Sequence, residues 1–192
     1  MDLRRFLGLP ATPPSGSFQA TGAPSTGDGT SVAETAALRR IVDGLEAMPP
    51  DQARHLATYA YILARAAAAD LDISEVETRA MERLLVEHGG INEAQSVLVT
   101  EIAKSMARLV GGTEDYLVTR EFREHSTPEE RLDLLRACFL VGAADDSITA
   151  GESSALNEIA NELGIEALDA AALRTEFADK FSALQALRRA GG

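Results

Sequence analysis

The stretch Ala68-Ala69-Asp70-Leu71-Asp72-Ile73-Ser74-Glu75-Val76-Glu77 returns in outline as Ala143-Ala144-Asp145-Asp146-Ser147-Ile148-Thr149-Ala150-Gly151-Glu152. Both read Ala-Ala-Asp-x-x-Ile-[Ser/Thr]-x-x-Glu, and Asp145, Ile148 and Glu152 each fall 75 positions after Asp70, Ile73 and Glu77. The register extends outward. Leu134, Cys138 and Val141 follow Tyr59, Leu63 and Ala66 at the same interval, as Leu156, Ile159 and Gly164 follow Met81, Leu84 and Gly89. A constant offset with matching flanks is the mark of a duplicated supersecondary unit. Here the unit is a helix, an acidic turn and a second helix, which restricts the chain to an all-α bundle with an internal pseudo-two-fold duplication.

Helix signals place about seven to eight helices around these turns. Ser31-x-x-Glu34 reads as a capping box opening the first helix, which Pro49-Pro50 stops. The second, from about Asp51 to Ala69, sets Leu56, Tyr59, Ile62, Leu63 and Ala66 on one face. A third opens at Ser74 and ends at Gly89-Gly90. A fourth opens at Asn92, carries Val99, Ile102, Met106 and Leu109 inward, and stops at Gly111-Gly112. The fifth runs from Thr113 to about His125 with Leu117, Val118 and Phe122 inward. Thr127-Pro128-Glu129-Glu130 caps a sixth that runs to Ala144. The seventh runs from Thr149 to Gly164. The eighth is expected to be continuous from about Glu166 to Arg188, burying Leu173, Phe177, Phe181 and Leu184. Strand-type alternation with flanking turn signals is absent from the sequence.

Residues 1–30 read as a flexible tail, since residues 11–30 are Pro, Ser, Thr, Gly and Ala with almost no large apolar side chain. The helical domain is expected over residues 31–190. Leu3, Phe6, Leu7 and Leu9 form either a short amphipathic handle or a frayed start. With 30 acidic against 18 basic residues the formal net charge is −12, which repels phosphate backbones and argues against nucleic acid as a partner. The composition favours cations or basic surfaces instead. One cysteine allows no disulfide within the chain, and no apolar run approaches the roughly 20 residues of a membrane span. These features fit a cytoplasmic protein.

The acidic turns support two readings. As plain structure, Ser74-x-x-Glu77 and Thr149-x-x-Glu152 are capping boxes, each worth about 1 kcal/mol, with Ile73 and Ile148 as hydrophobic staples. Asp70 and Asp145 fit less well, because each ends a helix whose macrodipole disfavours an anion. They repay this either by accepting turn amides, as in Asx-turns, or by holding a cation. Asp70, Asp72 and Glu77 in one copy, with Asp145, Asp146, Ser147 and Glu152 in the other, offer hard oxygens suited to Ca²⁺ or Mg²⁺. Carboxylates about 4 Å apart would repel by roughly 4 kcal/mol at an effective dielectric near 20, and a divalent cation reverses that term. An EF-hand is excluded: Glu75 and Ala150 stand where its glycine belongs, and Met81 and Leu156 where its bidentate glutamate belongs.

Ala69-Asp70, Ile73-Ser74 and Glu77, with Ala144-Asp145, Ile148-Thr149, Glu152 and Leu163-Gly164-Ile165, resemble the TerB (tellurite-resistance) family over roughly residues 35–187. The same units resemble the related acidic domain of some membrane-bound DnaJ-like cochaperones. The usual glycine after Asp is Leu71 in one copy and Asp146 in the other. The resemblance implies an all-helical pseudo-two-fold bundle whose acidic clusters bind divalent metal, linked to tellurite and general stress resistance, with no established reaction. Fold alone does not carry function across.

Other candidates are bland. His55, His88 and His125 lack the helical spacing of a transition-metal pair. Cys138 has no basic neighbour to activate it, and the glycine pairs lack a following Lys-[Ser/Thr]. The sequence therefore predicts a non-enzymatic module binding a divalent cation through Asp70, Asp72, Glu77, Asp145, Ser147 and Glu152, and an unidentified protein through a helical face. The alternatives are a metal-dependent enzyme with paired carboxylates activating water, and a metal-free helical scaffold.

Overall fold

A computed structural model describes residues 29–70, 73–109 and 113–190. The expected tail thus lies outside the described residues except for Gly29 and Thr30. Among the described residues are nine α-helices and no strand: α1 (Gly29–Glu46), α2 (Pro50–Ala67), α3 (Glu75–Gly89), α4 (Glu93–Leu109), α5 (Thr113–Glu124), α6 (Pro128–Gly142), α7 (Ala150–Leu163), α8 (Ala167–Glu176) and α9 (Ser182–Ala190). Two 3₁₀ turns, Ala68–Asp70 and Ala178–Lys180, follow α2 and α8. The chain divides into two compact units, Met1–Pro49 and Pro50–Gly192.

In the first unit α1 begins at Gly29, so Ser31 and Glu34 lie inside the helix rather than at its cap. Four amides stay open wherever a helix begins, so moving its start by two residues changes little. The helix closes through Ala47 N donating to Asp43 O at 3.0 Å and Met48 N to Leu45 O at 3.2 Å.

In the second unit α2 is the hub. Pro50 sits in its first turn, where the missing N–H costs nothing. Its C-terminal half is buried all round, from Tyr59 through Leu63 to Ala67, as expected of a helix surrounded by others. It packs against α3, α4, α5, α6 and α7. The core is continued by Met81 and Leu85 of α3, Leu134, Leu135, Cys138 and Val141 of α6, and Leu156, Ile159 and Leu163 of α7. Several pairs 75 apart are both buried, among them Leu63 and Cys138, Ala66 and Val141, and Met81 and Leu156. Arg65 ties α2 to its neighbours, with Nη1 2.5 Å from Glu162, Nη2 3.5 Å from Glu158 and Nε 3.8 Å from Asp115.

Caps read from the sequence close most helix starts. Asn92 and Gln95 exchange reciprocal 3.0 Å hydrogen bonds before α4, and Thr127 and Glu130 do the same before α6, at 2.7 and 3.2 Å. Gly90 and Gly164 end α3 and α7 in the left-handed region, φ 65° and 69°.

Several further expectations fail. The last helix is not continuous: Phe181 is extended (φ −68°, ψ 121°), and α8 and α9 lie on either side of it. The cause is pairing with the second acidic turn. Ile148 N donates to Lys180 O at 2.7 Å and Ser182 N to Ile148 O at 3.0 Å, a two-residue parallel bridge between Ile148 and Phe181. Phe181 is buried as expected, but Leu184 beyond the break is 41% exposed. Leu109 and Leu117 are exposed rather than inward. In α4 the buried residues are Ser96, Thr100 and Ala103, with Val99, Ile102 and Met106 half-buried, so the small-residue stripe faces the bundle.

Candidate functional site

Both acidic turns end in the same cap. Ser74 (φ −67°, ψ 162°) accepts from Glu77 N at 3.2 Å through Oγ, while its own amide donates to Glu77 Oε2 at 2.7 Å. Thr149 (φ −71°, ψ 169°) repeats this with Glu152 at the same two distances. Ile73 and Ile148, one residue earlier, are both buried.

The turns are then brought together. Position 151 lies against the end of the first turn, where a Cβ would stand 3.1 Å from the Ala69 carbonyl oxygen. A Cβ at Gly142, the last residue of α6, would stand 3.5 Å from Glu152 Oε1. Small residues therefore allow α7 to approach closely enough for the Glu77 and Glu152 carboxyls to interact. The two side chains are among the few buried charged groups of the described residues. Two buried carboxylates this close repel each other, so the arrangement favours a proton held between them.

The electrostatics agree. Burial is the largest cause lifting Glu77 above the ordinary carboxylate range, opposed by its capping bonds to Ser74 and assisted by the charge of Asp145. Burial likewise lifts Glu152, and the neighbouring Glu77 lifts it further, to about 7.

The aspartates sit differently. Asp145 is exposed and Oδ1 accepts the Ser147 amide at 3.0 Å, the Asx-turn anticipated for it. Ser147 is half-exposed and contributes that backbone amide. Asp146 occupies the family's glycine position with φ 70°, the conformation a glycine there would serve. Its carboxylate is 2.6 Å from Lys180 Nζ, which holds it below the usual aspartate range. Asp70 ends the first 3₁₀ turn, and Asp72 lies outside the described residues. Among the described residues no three His, Cys, Asp or Glu side chains form a metal-binding group. What the fold assembles from them is a pair. The sequence named Glu77 and Glu152 but not their meeting, nor the roles of Gly142 and Gly151.

Cys138 is fully buried with its thiol pushed up to about 12 by burial, which leaves no thiolate for chemistry. His55 packs on Phe122 with ring centroids 4.9 Å apart. His125 Nδ1 lies 2.9 Å from Glu121 O. No helix of the described residues is long and apolar enough to cross a membrane.

Fold and joint define an all-α bundle built on two identically capped acidic turns whose glutamates meet. The chain belongs to the TerB family: the family model for tellurite resistance protein TerB matches residues 55–175, from α2 into α8 and across both turns. No curated protein and no solved structure matches the chain.

Proposed function

We propose that this TerB-family chain is a non-enzymatic cytoplasmic binding module of the stress and tellurite-resistance type, taking a divalent cation at its acidic joint. The observation that carries the reading is the buried Glu77–Glu152 pair. The donor chemistry fits. Each glutamate uses Oε2 for its cap, and the pair presents hard carboxyl oxygens at a place where a positive charge is missing. Mg²⁺ commonly needs only one or two carboxylates and keeps its waters, whereas Ca²⁺ needs six to eight oxygens. The two described carboxyls thus suit Mg²⁺ better, with Asp70, Asp72, Asp145 and Ser147 as the further ligands a Ca²⁺ site would draw on. A bound cation supplies the charge that the shared proton otherwise supplies.

A helical face engages a protein partner on this reading. Tyr116 and Leu117 of α5, 47% and 46% exposed, support it, since the helical pattern would place Leu117 inward. Neither activated nucleophile nor phosphate loop accompanies the carboxyls, which favours binding over catalysis.

The test is thermal unfolding in EDTA, Mg²⁺ and Ca²⁺ at pH 8, on the wild type and on Glu77→Gln/Glu152→Gln. A cation that binds the folded state adds about 2.7 kcal/mol at 100 times its dissociation constant. A midpoint that rises with Mg²⁺ in the wild type and not in the variant is expected. Identical midpoints in all three media reduce the joint to a helix connection.

A further inference from the structure

Beside the second turn an open cleft of about 490 Å³ lies between the start of α7, the end of α8 and the start of α9. Its walls are mostly apolar, including Ile148, Phe181 and Leu184, with hydroxyls from Ser153 and Ser182. Among the described residues Arg174 is the sole charged one lining it. The chain as a whole carries a net charge of −12, so a cation in a cleft without acidic lining stands out.

The guanidinium is held in place without being neutralised. Its carbon lies 4.2 Å from the centroid of the Phe181 ring, Nη2 donates to Ser153 Oγ at 2.7 Å, and Nη1 donates to Asn157 Oδ1 at 3.2 Å. Arginine carries five N–H donors, so these neutral partners leave three open, and no described carboxylate pairs with it. A planar cation fixed by a ring and a hydroxyl is preorganised for a carboxylate, which it meets with two parallel hydrogen bonds.

We propose that this cleft binds a monovalent organic carboxylate with an apolar body, seated on Arg174 and covered by Ile148, Phe181 and Leu184. A single cation matches a single negative charge. The apolar walls and the volume suit a small molecule, since ligand sites commonly span about 300–1,000 Å³ with a few polar groups fixing orientation. This site adjoins the acidic joint at Thr149, but Arg174 takes no part in the Glu77–Glu152 pair, so it stands whether or not the joint takes a cation.

Titration of the ¹⁵N-labelled full chain with octanoate, followed by amide chemical shifts, tests it. Saturable shifts are expected around residues 148–153 and 174–184 at concentrations up to about 10 mM, the range of weak small-ligand binding. Acetate, lacking the apolar body, and 1-octanol, lacking the charge, should each bind at least roughly tenfold more weakly. Arg174→Gln should weaken octanoate by a similar factor. Ser182→Glu, which leaves Arg174 and its partners in place, should do the same by setting a carboxylate at the cleft edge. Octanoate affinity unchanged in either folded variant, octanol binding as tightly as octanoate, or absence of saturable shifts in the wild type overturns the proposal.

Discussion

Glu77 of α3 and Glu152 of α7 bring their carboxyls within interaction range of each other while each also caps its own helix. Burial and mutual repulsion favour a protonated carboxyl at this joint.

Stability should depend on pH with a definite sign. Both glutamates are raised in the folded state, so it retains a proton that the unfolded chain releases. This contribution is complete below the ordinary glutamate value of 4.5 and is lost as pH rises through about 7. In EDTA, the pair should make the unfolding free energy fall across that window, by no more than about 1.4 kcal/mol per pH unit. Urea titrations from pH 4.5 to 8 measure it, with Glu77→Gln/Glu152→Gln as the control that flattens the slope. A wild-type slope equal to that of the variant would remove the shared proton from the account.

Replacing one glutamate should stabilise the protein where removing its cap does not. In Glu77→Gln the amide oxygen still accepts the Ser74 amide and its NH₂ donates to Glu152, a satisfied pair without repulsion. At pH 8 a gain of about 1 kcal/mol is expected. Ser74→Ala and Thr149→Ala should each lose about 1 kcal/mol at any pH. Chemical denaturation distinguishes the two classes.

Arg65 bridges three helices from a half-buried position, facing Glu162, Asp115 and Glu158. Tyr61 also donates its hydroxyl to Asp115 at 2.6 Å, so that carboxylate is doubly engaged. Arg65→Met should cost about 3 kcal/mol, because it leaves sheltered carboxylates without their cation. A loss near zero would mean that water reaches these acids freely. The check is the denaturation midpoint at constant m-value.

At Asp146 backbone and side chain pull in opposite directions. Its φ of 70° favours glycine, but its carboxylate pairs with Lys180 and its carbonyl accepts from Gln185 Nε2 at 3.0 Å. Asp146→Ala should melt below both the wild type and Asp146→Gly, since alanine keeps the strain and loses the pair. Equal melting of the alanine and glycine variants would show that the turn relaxes out of the left-handed region.

Much of this architecture is legible in residue order because caps and stops act locally. Ser74, Asn92, Thr127 and Thr149 each open a helix as their spacing predicts. What failed was long-range. Leu117 and Leu109 belong to helical stripes, but a stripe's inward side is chosen by the neighbours that cover it, and α4 turned its smaller residues inward. Phe181 was expected inside a helix, and it left the helix to satisfy the backbone of Ile148. The candidate site divides in the same way. The capping roles of Glu77 and Glu152 follow from three-residue spacing, but their convergence depends on how helices cross. One clue was present: Gly151 in the first turn of α7 is a poor helix former, and its use is the close approach to Ala69.

The reciprocal use of Glu77 and Glu152 also limits how far such a repeat could grow. Each glutamate spends one oxygen on the amide of its cap residue, Ser74 or Thr149, and finds its partner across the joint, so the arrangement saturates at two members. A third copy of the turn would bring a buried acid with no opposite number. Stacked repeats extend indefinitely when every unit offers a fresh face to the next. Here the faces are consumed against each other, and the unit closes as a dyad.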